Sequence, residues 1–154
     1  MHQPDCTSCP LGEVVERRTF LKEVAFAMGA FTFVRGMRIG ADKSYPIPAA
    51  DGAVIDKDES VIIARVDNKA YAFSLACPHQ NTAIRWEVGD HRFQCPKHHS
   101  RYRPDGTFIE GRATRGLDRF AVKRDGNNLL VNLDALYRED ENAAQWAQAF
   151  VSLA

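Results

Sequence analysis

Four side chains constrain this chain more than any other feature. Cys77-Pro78-His79 is followed, after fifteen further residues, by Cys95-Pro96-Lys97-His98. Spacers of one and two residues read as two short loops of similar form, each turning a thiol and an imidazole towards one small object. The residues between them have the length of a β-hairpin, which would fold the second loop back beside the first. Two thiolates and two imidazoles suit tetrahedral zinc. They suit equally a [2Fe–2S] cluster with two cysteines on one iron and two histidines on the other. The four residues alone leave both readings open.

The surroundings set the fold class. Ser60–Val66 and Ala70–Ser74 are rich in β-branched and aromatic residues and flank Asp67-Asn68-Lys69, a hairpin signal. Ala83–Glu87 and His91–Gln94 flank Val88-Gly89-Asp90. Short strands are expected around Ser100–Arg103 and Phe108–Glu110, then over Phe120–Lys123 and Leu129–Asn132, joined by turns of Pro, Asp, Gly and Asn. Many short strands at close spacing predict an antiparallel all-β domain. Over 142–154, Ala143, Trp146, Ala147, Phe150 and Val151 fall near one face of a helix. Such a helix packs on its own domain or docks on a partner subunit.

The first forty residues have a different character. Arg17-Arg18-Thr19-Phe20-Leu21-Lys22 is a twin-arginine signature, followed by the uncharged apolar run Ala25–Val34. The twin-arginine route carries folded proteins, which suits a chain that takes up a metal group before export. Ile39-Gly40-Ala41 is the cleavage candidate, leaving Asp42 as the mature start. The alternative is a retained anchor over residues 20–34, although a helix of that length reaches only about 22 Å against a hydrocarbon core of about 30 Å. Cys6 and Cys9 form a C-x-x-C with no second ligand pair nearby, and read as incidental thiols. Ser44–Ala50, with Pro46 and Pro48, reads as extended linker. The expected organisation is a signal or anchor over 1–41, a linker over 42–52 and one domain over 53–154. Lys plus Arg equals Asp plus Glu at 20 each, so nucleic acid is not the expected partner.

Cys77-Pro78-His79-Gln80-Asn81-Thr82 and Cys95-Pro96-Lys97-His98-His99-Ser100 resemble the two cluster-binding loops of Rieske proteins, and the resemblance extends over roughly Val61–Leu133. It implies a Rieske-type β domain holding a [2Fe–2S] cluster, with Cys77 and Cys95 on the inner iron and His79 and His98 on the outer one. It also implies that Ser100 hydrogen-bonds a bridging sulfide and Tyr102 a ligand cysteine, as in high-potential members; low-potential ferredoxins of the dioxygenase type carry Trp where Ser100 stands. Such bonds favour the reduced, more negative cluster and raise its potential. Family behaviour further implies that oxidation releases protons from the outer nitrogens of His79 and His98, lowering the potential at alkaline pH.

Two departures from the family matter. The disulfide that ties the loops together in cytochrome bc complexes would need cysteines at Thr82 and Lys97, so no disulfide is expected. Gly111-Arg112-Ala113-Thr114, in the position of the third covering loop, is similar to the small subunit of arsenite oxidase. The resemblance therefore implies a high-potential electron-transfer subunit, a component of an oxidoreductase rather than a catalyst alone. It would serve a quinol:cytochrome c reductase-like complex in the periplasm or on the outer face of the cytoplasmic membrane. The alternatives are the Rieske subunit of an arsenite-oxidase-like molybdenum enzyme and a structural zinc domain. The corresponding partners are a cytochrome subunit, with possible quinol, or a molybdopterin subunit.

Overall fold

Alternation and turn chemistry build the domain from short antiparallel strands. The computed structural model describes residues 42–153. The twin-arginine segment, Cys6, Cys9, the cleavage candidate and the anchor candidate lie outside them. The strands are β1 (Asp42–Pro46), β2 (Gly52–Asp56), β3 (Val61–Val66), β4 (Lys69–Ser74), β5 (Arg85–Glu87), β6 (Arg92–Gln94), β7 (Arg101–Tyr102), β8 (Phe108–Glu110), β9 (Arg119–Asp125), β10 (Asn128–Tyr137) and β11 (Val151–Ser152). One short helix, α1 (Ala143–Gln148), precedes β11. The expected all-β class therefore stands.

The larger sheet runs in the order β1-β10-β9-β4-β3-β2, and β11 also pairs with β4. Its β3–β4 hairpin turns through Asp67 and Asn68, both at positive φ (48° and 57°), which matches the twist of the strands it joins. Side chains on β3 and β4 are buried on both faces. Ile62, Ala64, Tyr71 and Phe73 enter one core with Leu75, Cys77, Ile84, Phe93, Cys95, Tyr102 and Leu117. Val61, Ile63, Ala70 and Ala72 enter a second core with Phe120, Leu129 and Val131. A period of two thus sends alternate residues of one hairpin into two cores. The first of these contains both candidate thiols.

The two ends of this sheet, β1 and β2, are joined by side chains. Lys43 Nζ donates to Asp56 Oδ2 at 3.1 Å and to Glu59 Oε1 at 3.0 Å, and the Tyr45 hydroxyl donates to Asp56 Oδ2 at 3.0 Å. The Arg65 guanidinium adds bonds to the carbonyls of Pro48 and Ala49 at 3.1 and 2.9 Å. Within the stretch expected to be a linker, Asp42–Pro46 is strand β1, in register with β10 from Asp42 opposite Asn132 to Pro46 opposite Asn128. Proline is tolerated there because β1 is an edge strand and Pro46 is its last residue.

The C-terminal stretch corrects a sequence expectation. The helix predicted over 142–154 ends at Ala149, whose ψ of 65° is not helical, and Phe150 and Val151 lie beyond it. Val151 and Ser152 instead pair with Ala70 and Lys69 of β4. A six-residue helix has little stability of its own, whereas the open edge of β4 offers backbone partners to a β-branched residue. Ala143 and Ala147 are exposed, so no continuous apolar helical face exists. Trp146 is buried, and its indole N–H donates to the Leu117 carbonyl at 2.8 Å. The tail packs on its own domain.

Candidate metal centre

The smaller sheet, β5-β6-β7-β8, places the candidate loops. Its register sets Arg85 opposite Gln94, Gln94 opposite Arg101 and Arg101 opposite Glu110. These four residues form one row across the sheet. The segments before Arg85, between Gln94 and Arg101, and after Glu110 must therefore all emerge at the same end. They are the first loop, the second loop and the Gly111–Leu117 segment. The hairpin inferred between the two ligand pairs exists, turning through a 3-10 segment at Val88–Asp90.

The two loops share one backbone design. The Cys77 N–H donates to the Thr82 carbonyl at 2.9 Å, and the Asn81 N–H donates to the Cys77 carbonyl at 2.8 Å. The Cys95 N–H donates to the Ser100 carbonyl at 2.9 Å, and the His99 N–H to the Cys95 carbonyl at 3.0 Å. Asn81 and His99 occupy the same position in each loop and are both left-handed, with φ of 52° and 56°. Asparagine and histidine are among the non-glycine residues that tolerate this region best. Each loop is thus closed by two of its own backbone bonds, with a proline after the cysteine. With Thr82 and Lys97 at the positions where a disulfide would stand, this internal closure holds the loops. It also gives His99 a structural task, in addition to its contact with Gln94 (Nε2 to Nδ1, 3.4 Å).

The donors divide into two pairs. The Cys77 and Cys95 thiols are free and about 1% exposed. The His79 and His98 rings meet edge to face, their centroids 4.8 Å apart. The Nδ1 atoms of both rings are buried and have no hydrogen-bond partner. An unmade bond at a buried polar atom costs about 1–3 kcal/mol, so two such atoms side by side mark a place for a ligand. Burial first, then His79, Arg112, Lys97 and His99, disfavour the imidazolium of His98. A neutral ring is the form that binds a metal.

Ser100 and Tyr102 adjoin the two cysteines, Ser100 through its carbonyl on the Cys95 N–H and Tyr102 through its side chain. The Tyr102 hydroxyl lies 3.3 Å from Cys77 Sγ. Burial, then the hydrogen bond and charge of Cys77, push the phenol well above its ordinary value of 10.0, so it remains a protonated donor. Ser100 is fully buried, and its Oγ accepts from the N–H groups of Arg112 and Ala113, each at 3.1 Å. Both lone pairs are engaged, and the hydroxyl also stands within hydrogen-bonding reach of the Tyr102 phenol. Sequence reasoning assigned Ser100 a role towards the cluster but missed this anchoring of the third loop. Gly111 makes the close approach possible: its φ is +117°, and a Cβ there would sit 2.4 Å from Ser100 Cα.

Two closed loops on a small antiparallel sheet, each offering one cysteine and one histidine, define a mixed-ligand metal domain. Residues 39–121, more than half of the chain, match the Rieske [2Fe-2S] domain, and the chain belongs to that family. Among its relatives is the cytochrome b6-f complex iron-sulfur subunit of Synechococcus sp. (strain JA-2-3B'a(2-13)). That protein is 36% identical over 67 residues, covering 42% of this chain and 39% of the relative. The chloroplastic subunit of the same name from Bigelowiella natans is 26% identical over 122 residues, covering 79% of this chain and 42% of the relative. The chain thus spans about two fifths of the length of these relatives. Among solved structures, a chain of a hyperthermophilic respiratory Complex III is similar at a TM-score of 0.49 and 22% identity, over 73% of this chain and 96% of that one.

A Rieske domain binds a [2Fe–2S] cluster, and the residues here fit one. The candidates separate into a thiol pair in the core and an imidazole pair with orphaned nitrogens, the division that two irons need. The zinc reading left open by ligand type gives way to the family match.

Proposed function

We propose that this chain is the high-potential Rieske electron-transfer subunit of a quinol:cytochrome c reductase-like complex. In this reading Cys77 and Cys95 hold one iron, and His79 and His98 hold the other through their Nδ1 atoms. The observation that carries it is the pairing of buried thiols with two buried, unpartnered Nδ1 atoms at the end of one sheet. When bound, the cluster supplies a one-electron couple. The chain's own residues set the conditions for it. The first core excludes water from the thiols, Tyr102 donates towards Cys77, and the Ser100 hydroxyl stands within reach of the Tyr102 phenol. Donors aimed at sulfur favour the more negative state and raise the potential. His79 and His98 are only partly buried, which supports electron passage on the imidazole side.

The relatives named as cytochrome b6-f iron-sulfur subunits favour a cytochrome-containing complex as the setting. The twin-arginine signature favours export after folding, with the domain on the outer face of the membrane. The test is to purify the full chain from the native host with its associated proteins, then record the EPR spectrum of the reduced sample and titrate its potential. A mixed-ligand [2Fe–2S] signal with a positive midpoint potential and a co-purifying cytochrome b is the expected result. Stoichiometric zinc and no reducible cluster would overturn the reading.

A further inference from the structure

The end of the small sheet that carries the loops has an unusual charge balance. Lys97, which directly precedes His98 in the second loop, and Arg112 are both exposed. The Arg112 backbone is pinned to Ser100, two residues beyond His98. Arg85 is exposed in the same row of the sheet. None of these three has an ion-pair partner among the described residues. Their neighbours differ: Arg101 pairs with Glu110, and Arg115 pairs with Asp118 and Asp140. The first loop, 77–82, carries no charged residue. Beside the loops runs an open groove of about 770 Å³ whose lining includes Leu75, Ile84, Trp86 and Pro96, with Lys57 and Arg85 also on its wall.

From this arrangement we infer that the loop end is a docking face for an acidic protein redox partner, which the unpaired Lys97, Arg112 and Arg85 steer onto the imidazole side. The inference rests on the proposed function and names the kind of surface its partner presents. An apolar groove with charges at its edge is the composition of a protein contact. A membrane surface is a poorer occupant, since lipid-binding segments concentrate about 4–8 Lys and Arg and here three cations are set apart on separate elements.

The test uses the full-length, cluster-loaded protein, reduced and freed of reductant. It is mixed by stopped flow with ferric c-type cytochromes of matched potential, one strongly acidic and one strongly basic, over a range of salt. One electron passes to the ferric haem, giving ferrous cytochrome and the oxidised protein. The expected result is a faster reaction with the acidic cytochrome that slows as salt rises, and a loss of about tenfold at low salt in the triple variant Lys97→Gln, Arg112→Gln, Arg85→Gln. Midpoint potentials of all samples are measured so that driving force is held apart from docking. Equal rates with the two cytochromes at low salt, or a triple variant as fast as the parent, would overturn the inference. So would phosphatidylglycerol vesicles that bind the parent but not the variant while cytochrome rates stay unchanged. Absence of the cluster signal would remove the proposed function together with this inference, whereas an intact signal with salt-independent rates would remove the inference alone.

Discussion

The Tyr102 hydroxyl lies 3.3 Å from Cys77 Sγ, inside a core where both residues are 1% exposed or less. Phenol and thiol come from different loops' flanks, separated by 25 residues, and meet because β6 and β7 set Tyr102 opposite Phe93 while the Cys77 loop returns to the same end. Replacing Tyr102 by Phe removes one donor and little volume. The midpoint potential is expected to fall by about 20–60 mV, taking about 0.5–1.5 kcal/mol for one hydrogen bond and 59 mV per tenfold for a one-electron couple. A redox titration checks it, and an unchanged potential would remove Tyr102 from the tuning set.

Ser100→Ala is expected to do two things at once. It removes a hydroxyl beside the Tyr102 phenol, which lowers the potential. It also strands the N–H groups of Arg112 and Ala113, at a cost of about 1–3 kcal/mol for a buried donor. The pairing of a lowered potential with a lowered unfolding midpoint separates this variant from Tyr102→Phe. Ser100→Thr, which keeps the hydroxyl, is expected to recover most of the potential.

Gly111→Ala tests the third loop directly. The added carbon meets main-chain atoms of Ser100, which cannot swing aside, and the backbone is left-handed there. A cost of about 1–3 kcal/mol for the conformation alone is expected, with the loop displaced from Ser100. The measurable result is faster loss of the visible absorbance of the loaded protein under chelator than in the parent.

Arg119 is 4% exposed, and its guanidinium stacks on Trp146 at 3.7 Å while donating to the carbonyls of Trp146 and Asp105 at 2.7 Å each. It ties the C-terminal tail to the 103–107 turn. Arg119→Met keeps much of the packing but strands two carbonyls, and is expected to destabilise the domain by on the order of 3 kcal/mol, read by denaturant titration. Deleting 141–154 removes the same contact together with strand β11. An unfolding midpoint unaffected by the deletion would contradict the packing role assigned to the tail.

Asp56 gives a pH dependence. The Glu59 backbone N–H, then Lys43 and Tyr45, hold its carboxyl below the ordinary 3.8. A carboxylate with a depressed folded value adds stability that is complete above the unfolded value and is lost as pH falls through the folded one. The unfolding free energy is therefore expected to decline below about pH 4, and Asp56→Asn is expected to flatten that limb. Denaturation at stepped pH checks both.

The sequence made the chemistry legible because loops bind through spacing, and spacing survives without coordinates. Hairpins were legible for a similar reason: Asp67-Asn68 and Gly126-Asn127 carry backbone preferences in their own side chains or lack of them. Pairings between distant segments left no local trace. Nothing in Asp42–Pro46 names Asn128–Asn132 as its partner, and nothing in Val151 names Ala70. The tail misled because Trp146 and Phe150 fit a helical period, while the decisive competitor was an unfilled strand edge contributed by residues far away. Arg119 was invisible as a core residue because a charged side chain is expected outside, and its burial is sustained by three aromatic rings and two carbonyls that the fold brings together.

The joining of β1 to the β2 end of the sheet through the side chains of Lys43, Tyr45, Asp56 and Glu59 has a further meaning. Elsewhere, neighbouring strands are stitched through main-chain amides, which are indifferent to acid and salt. At this one line the fastening is ionic and partly wetted, so solvent composition acts on the domain there first. Amides along β1 and β2 should exchange with deuterated water sooner as salt rises, while those of β3, β4 and the two cysteine loops hold.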